Sequence, residues 1–395
     1  MSGQVTSTLP GSREYSLRGL LLYFLGLGTW GFGGPIALVV YMEKDLVEDR
    51  GWLTEEEYRR GLALSQIAPG PLAAQLAMYI GYIRNGFIGV TLVSIAFIAP
   101  SFIMVVALGM LYVAFGGLAW MQAVFYMIGA AVIGIIARSA YKLAYRILKK
   151  KKLLWGIFAL MCAVTAYTEQ ENVWLFLLSG CIALFIYAPP RLNMRKLSAF
   201  IVPALLLFQF SIKMQQTSFT EIFLYFVKAG AFVFGSGLAI VPFLHGDVVQ
   251  HYQWLTERQF LDAVAVAMVT PGPVVITVGF IGYLVGGFWG AVAAALGVFL
   301  PVYLVIILIS SYYERIAKNK YITAFIDGVI AAAVGAIAGA VIVLGRRSIT
   351  DIPTVFTTLV TLGVLIRFKI PEPIIIAIAG AVGLVLYWSK NSALF

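Results

Sequence analysis

Charge is what this chain has least of. Asp, Glu, Lys and Arg make up 12% of its 395 residues, about half the share usual in a soluble domain. No polar stretch is long enough to hold a soluble core, so a solvated globular fold is excluded. Cysteine and histidine are scarcer still, with two of each. Cys162 and Cys181 lie in separate apolar segments without C-x-x-C spacing, which gives no support to a disulfide framework or a thiolate metal site. Both read as small core hydrophobes. His245 and His251 fall in a polar stretch and read as surface residues. A membrane-embedded enzyme acting on lipid phosphates would need a general acid or base, usually with a metal or nucleophile. Neither histidine lies near a Pro-Gly-Pro break, and no acidic pair sits in an apolar core.

What is abundant is apolar: 61% of residues are hydrophobic and the mean hydropathy is +0.93. Runs such as 88–113 and 173–188 approach or reach the roughly 17–25 residues that cross a bilayer. The composition specifies an all-α polytopic membrane protein. The net charge of +10 does not point to nucleic acid, because the basic residues cluster between apolar runs, as they do in cytoplasmic loops. The N-terminal residues to about Ser16 are polar, and the first apolar run has no small-residue cleavage site. It reads as a retained helix with the N-terminus inside.

The chain repeats itself. Phe24, Gly28, Phe32 and Gly33 recur as Phe226, Gly230, Phe234 and Gly235, and Trp52-Leu53-Thr54 recurs as Trp254-Leu255-Thr256, all displaced by 202. The register holds through Pro69-Gly70-Pro71 and Pro271-Gly272-Pro273. One residue is then lost, so that Gly81, Pro100 and Gly134 match Gly282, Pro301 and Gly335. Residues 1–190 form a first repeat, 216–395 a second, and 191–215 a linker transmembrane helix centred on the unmatched run 197–212. Each repeat opens with an apolar segment interrupted near Gly31-Phe32-Gly33-Gly34-Pro35 or its copy. A polar stretch with a capping-box pattern follows, Thr54-x-x-Glu57 or Thr256-x-x-Gln259. Next comes a segment broken at Pro-Gly-Pro, then four ordinary spans. The interrupted segments, about 25 residues each, read either as single broken spans, giving thirteen crossings in all, or as re-entrant hairpins, giving four fewer.

Charge distinguishes the orientation of the two halves. Lys149-Lys150-Lys151-Lys152 and Arg84 stand in loops whose second-repeat counterparts lack that cluster, whereas Arg315, Lys318, Lys320, Arg367 and Lys369 occupy loops that are uncharged or acidic in the first repeat. Inverted copies are what the positive-inside rule predicts from that pattern. Arg346-Arg347 is an exception on the predicted outer side, partly offset by Asp351. The expected fold is two inverted-topology repeats with broken or re-entrant helices, joined by one linker transmembrane helix.

Taken together, Gly31-Phe32-Gly33-Gly34-Pro35, Trp52-Leu53-Thr54, Gln66-Ile67-Ala68-Pro69-Gly70-Pro71, Ile80-Gly81-Tyr82 and Ala99-Pro100-Ser101, with their second-half counterparts, resemble the chromate ion transporter family in its long, two-domain form. The resemblance implies export of chromate, a tetrahedral dianion, across the cytoplasmic (inner) membrane, driven by the membrane potential or the proton gradient. It implies no cofactor and no enzymatic activity. The expected partners are chromate or a sulfate-like oxyanion and the lipid bilayer, with a homodimer left open. A sulfate or other anion transporter, a passive channel and the lipid-phosphate enzyme are the alternatives. The halves differ at Gly34 against Ser236, Pro35 against Gly237 and Gln66 against Met268, so the site they form is chemically unequal.

An oxyanion crossing a low-dielectric slab needs donors and positive potential without permanent capture. Helix N-termini supply both. New helices are expected after each break, which nominates Gly33, Gly34, Pro35, Pro69, Gly70, Pro71, Gly235, Ser236, Gly237, Pro271, Gly272 and Pro273 as the substrate-binding frame. Gln66, Gln75, Thr270 and Thr277 are side-chain candidates, although Thr in a membrane helix often bonds back to its own backbone. Lys228 is an intramembrane cation where the first repeat has Gly26, readable as a site residue or as a snorkelling charge. For proton coupling, Asp262 and Asp327 are the carboxylates that could face the pathway, each also readable as a solvated helix-end charge.

Overall fold

The computed structural model describes residues 15–32, 34–68, 70–115, 119–148, 151–168, 173–189, 218–231, 234–235, 240–310, 319–368 and 370–392. The first repeat runs α1 (Leu17–Trp30), α2 (Gly34–Glu43) with a π-helical extension (Lys44–Asp49), α3 (Glu55–Ile67), a two-residue strand β1 (Gly70–Pro71), α4 (Leu72–Phe115), α5 (Ala119–Leu148), α6 (Lys152–Thr168) and α7 (Val173–Tyr187). The second runs α8 (Phe219–Ala231), β2 (Phe234–Gly235), α9 (Ile240–His245) with its own π-helical extension (Gly246–His251), α10 (Glu257–Val269), a 3-10 turn (Val274–Ile276), α11 (Thr277–Ser310), α12 (Lys320–Ser348), α13 (Ile352–Arg367) and α14 (Glu372–Ser392). Among the described residues, five helical stretches, 72–115, 119–145, 274–308, 320–348 and 372–389, are long and apolar enough to cross a bilayer. The chain is an all-α polytopic membrane protein of two repeats. The linker run 197–212 lies outside the described residues, as do Gly33, Pro69, Ser236 and Gly237.

Local chemistry sets the element boundaries. Thr54 caps α3 by accepting from Glu57 N while the Glu57 carboxylate accepts from Thr54 N, and Thr256 and Gln259 do the same for α10. Both capping boxes expected from sequence are present. α3 ends at Ala68 and α10 at Thr270, each in extended backbone, because each precedes a proline whose ring disfavours the α region one residue earlier.

The interrupted segments are hairpins, which decides between the two readings left open by their length. α1 has 14 residues and α3 has 13, so each spans about 20 Å, short of a hydrocarbon core of about 30 Å. Their outer ends share one level. The Trp52 ring stacks on Tyr15 with centroids 5.2 Å apart, and Arg84 Nη2 donates to the Tyr15 carbonyl at 2.6 Å. The chain therefore enters through α1, leaves through α2, enters again through α3 and returns along the first part of α4. It then reverses once more at Asn85–Gly86, where the backbone is non-helical. Gly81 and Gly89 would stand about 12 Å apart in a straight helix, yet a Cβ on Gly81 would lie 2.5 Å from the Gly89 carbonyl oxygen. The same reversal occurs at Gly286–Gly287.

The repeats interlock. Helix α5 of the first packs on α13 and α14 of the second, while its counterpart α12 packs on α6 and α7 of the first. Gly134 of α5 sits against the Thr358 carbonyl and its equivalent, Gly335 of α12, against the Phe158 carbonyl. Reciprocal contacts of this kind mark a two-fold relation between the partners. Helices α4 and α11 pack together between the two halves.

One exception to the charge pattern is resolved here. Arg347 Nη1 pairs with Glu257 Oε1, and Glu257 Oε2 contacts His245 Nε2 at 2.7 Å. Its charge serves an ion-pair network at the start of α10, leaving Arg346 as the solvent-facing partner. His245 is 2% exposed and packs edge-on to Phe260, so the surface reading of that residue is corrected. Asp351 caps α13 through the Thr354 amide at 3.0 Å. Arg347→Ala is expected to cost about 1–2 kcal/mol, because the pair is only partly exposed. Arg346→Ala should cost less, and thermal unfolding in detergent would show the difference.

Candidate functional site

The four helix breaks meet. Gly70 and Pro71 of the first repeat pair in parallel register with Phe234 and Gly235 of the second. On the other side of the axis, Gly272 N–H donates to the Gly31 carbonyl at 2.9 Å. Each Pro-Gly-Pro break is thus bonded to the first break of the opposite repeat. Gly70 has φ +139° and Gly272 φ +89°, a region open to glycine and costly for other residues.

The glycines also sit where no side chain fits. A Cβ on Gly70 would lie 2.6 Å from Gln75 Nε2 and 2.9 Å from a Val302 methyl. A Cβ on Gly272 would overlap Ser101 Oγ, which itself donates to the Gly28 carbonyl at 3.2 Å. Ser101 and Val302 are equivalent positions, so one glycine faces a hydroxyl and the other faces methyl groups. In the sequence Ser101 stands out only as part of the Ala99-Pro100-Ser101 motif. Its place directly after an in-helix proline was the available signal.

New helices begin beside these breaks, α2 at Gly34 with Pro35 in its first turn, α4 at Leu72 and the 3-10 turn into α11 at Val274. Their first amides have no partner within the helix, and the positive ends of their dipoles lie on the side of the break. The structure brings Gly34, Pro35, Gly70, Pro71, Gly235, Pro271, Gly272 and Pro273 to these four breaks. Gly33, Pro69, Ser236 and Gly237 lie outside the described residues.

The side-chain candidates divide. Gln75 is fully buried and its Nε2 donates across the break to the Ala68 carbonyl at 3.1 Å, tying the start of α4 to the end of α3. Thr270 and Thr277 bond back to the Ala267 and Val274 carbonyls at 3.1 and 2.7 Å. Gln66 is exposed on the last turn of α3. Lys228 faces Asp247, with Nζ and Oδ2 3.6 Å apart, and its side chain is 47% exposed. Burial raises the Asp247 carboxyl above its ordinary range, and Lys228 and His251 pull it back. Asp327 is ion-paired with Lys151 at 2.6 Å on a partly exposed surface.

The Lys228 position exposes the clearest inequality between the repeats. Its equivalent is Gly26, where an added Cβ would meet nothing within 4 Å. In the space this leaves, an open cleft of about 380 Å³ runs from Leu22 and Trp30 past Tyr23 and Gly26 to Gly31, with Asp45 and Arg50 at its polar edge. Asp45 is the equivalent of Asp247, so the same acid borders an open cleft in one repeat and a lysine in the other. Arg50 lies over the Tyr23 and Trp52 rings at 5.2 and 4.7 Å. In the second repeat Tyr252 takes that place, stacked on Trp254 at 4.7 Å.

Comparison with known proteins agrees with this twofold construction. The family model described as Chromate transporter matches twice, over residues 18–184 and 220–384. The chain is 56% identical to the Chromate transport protein of Cupriavidus metallidurans, over 94% of each chain. It is 54% identical to the "Probable chromate transport protein" of Synechococcus elongatus over 95% of this chain and 97% of that one. A Chromate transport protein of Pseudomonas aeruginosa is 31% identical over 88% and 85%. No solved structure matches this chain. With both halves matched and close to the whole length shared, the chain belongs to the chromate transporter family.

Proposed function

We propose that this protein exports chromate, or a tetrahedral oxyanion of the same charge, across the inner membrane, driven by the membrane potential or the proton gradient, with its N-terminus inside. The observation that carries this reading is the reciprocal bonding of the four breaks, Gly70–Pro71 to Phe234–Gly235 and Gly272 to Gly31. It gathers helix starts from both repeats around one axis. A dianion there is held by amide donors and dipole ends rather than by a fixed lysine or arginine. Such a site stabilises the ion without trapping it. Sulfate has nearly the same shape and charge, and competition between the two anions measures how far the site separates them.

Alternating access follows from the inequality of the repeats. In an inverted pair, equivalent clefts open to opposite faces of the membrane. The Gly26 cleft is the open approach, and the Lys228–Asp247 pair closes its equivalent. Breaking that pair while filling the first cleft is the exchange of states that moves the ion. Inside-out membrane vesicles test the reading. Accumulation of labelled chromate that collapses when the gradient is dissipated supports it, and accumulation indifferent to the gradient counts against it in favour of a passive pathway.

A further inference from the structure

Asp262 lies in α10, about two turns before the Thr270 break, at the position where the first repeat carries the exposed, ion-paired Arg60. The residue is 3% exposed. Tyr112, in the last turn of α4, donates its hydroxyl to Asp262 Oδ2 at 2.7 Å. Among the described residues this carboxylate has no cation within ion-pair distance, so the solvated helix-end reading does not hold for it. A carboxylate taken out of water without a countercharge costs several kcal/mol, and a bound proton removes that cost.

The charged and titratable groups around it come from each packed element. From α4 there is Tyr112 itself. On its own helix Arg258 reaches it only at longer range, being turned to Gln122 of α5, with Nη2 2.7 Å from that carbonyl. Also on α5, Tyr126 bonds Asp351, while Arg138 and Lys142 act on Glu372 of α14. From α11, Tyr283 packs on Gly109, one turn from Tyr112. Glu257, at the start of α10, is engaged by His245 and Arg347. No group in this set cancels the Asp262 charge by direct contact.

The mechanical setting matters as much. The Tyr112 ring is wedged edge-on between Phe125 of α5 and Phe280 of α11, both at 5.5 Å. Its hydroxyl cannot follow Asp262 far. The pair ties a half-helix of the second repeat to the last turn of a span of the first, so a relative movement of α10 and α4 parts them. Once parted, Asp262 meets water and loses its donor.

We infer that Asp262 is the proton-binding site that couples oxyanion movement to the proton gradient, with Tyr112 as its positioning residue. This rests on the transport reading above. Hydronium in the outside water gives up a proton, its O–H bond breaking as the carboxyl O–H bond forms; on the inner side the carboxyl O–H bond breaks and the proton passes to water, regenerating hydronium and the carboxylate. During export the proton therefore enters on the side where Asp262 stands.

The test uses the full chain reconstituted in liposomes with labelled chromate. Accumulation is driven by a pH difference at clamped membrane potential, and chromate-for-chromate exchange is followed without a gradient. Asp262→Asn keeps an acceptor for Tyr112 and removes the titratable group. Gradient-driven accumulation is expected to fall by about tenfold or more while exchange persists. Tyr112→Phe removes a donor to the charged form, so the pH midpoint of transport should move upward by about one unit. Full accumulation by D262N, or parallel loss of accumulation and exchange in a folded D262N, overturns the inference. Where D262N does not assemble, an unmoved midpoint in Y112F overturns it and an upward shift supports it. Wild-type protein that exchanges chromate but ignores the pH difference refutes the coupling alone. Wild-type protein that moves no chromate at all refutes the transport reading.

Discussion

Gly272→Ala is expected to lower transport by about a hundredfold and stability by about 3 kcal/mol, the sum of a disfavoured backbone and an overlap that cannot relax. The backbone part follows from φ +89°. The overlap is with Ser101 Oγ, a short side chain held by its bond to the Gly28 carbonyl. Relief by moving Ser101 breaks that bond, and relief by moving the loop breaks the Gly272 to Gly31 bond that joins the repeats. The Ser101→Ala change separates the two parts. Removing the hydroxyl leaves Ser101 Cβ as the near neighbour, at 3.2 Å from the new methyl. The S101A/G272A double variant should therefore recover part of the stability lost by G272A, a coupling of opposite sign to simple addition. Thermal unfolding and chromate flux on the four proteins of that cycle check it. Additive losses would mean that the two residues do not press on one another.

Gly26→Lys is the second large effect and has the opposite signature, a loss of transport without loss of fold. A Cβ at Gly26 meets nothing within 4 Å, the open cleft beyond it has room for a longer chain, and lysine is a better helix former than glycine by about 1 kcal/mol. The new ammonium stands to Asp45 as Lys228 stands to Asp247, and it fills the cleft that leads past Gly31. Flux should fall by about tenfold or more while the unfolding temperature holds or rises. Lys228→Gly is the mirror experiment. It opens the second cleft, leaves the Asp247 carboxylate without its cation, and should let chromate leak down its gradient. Wild-type flux in G26K would show that the cleft is not on the path.

Much of this fold was legible because backbone-dictated residues carry it. The displacement of 202 rests largely on Gly, Pro and Trp positions; Gly70 and Gly272 proved to be breaks, and Gly28 and Gly230 close helix contacts. The two capping boxes were readable since an N-cap and its partner in the first helical turn lie three residues apart. The hairpins were not, because a 25-residue interrupted segment fits either topology. What decided it was contact between distant residues, Tyr15 with Trp52 and Arg84. The interlocking of α5 and α12 with the opposite repeat left no trace in the alternation of apolar and polar residues, since both of their faces are apolar.

Side chains at the site were read less well than the breaks. Thr270 and Thr277 satisfy their own helices, an outcome that no spacing distinguishes from ligand binding. Lys228 was singled out by its contrast with Gly26, but its partner Asp247 lies beyond the break, out of reach of local pattern. His245 looked exposed because its neighbours are polar. Its burial comes from Glu257 and Phe260 in the next helix. Asp262 was one of two equal candidates until the partners were known, Tyr112 for one and Lys151 for Asp327.

The central claim is that the substrate oxyanion is held where the breaks of the two repeats meet. Chromium supplies its own label. Crystals of the full chain soaked in chromate and measured on both sides of the chromium absorption edge should show one anomalous peak between Gly70–Pro71 and Gly272, facing the helix starts at Gly34, Leu72 and Val274. A peak elsewhere, with that position empty, would contradict the account.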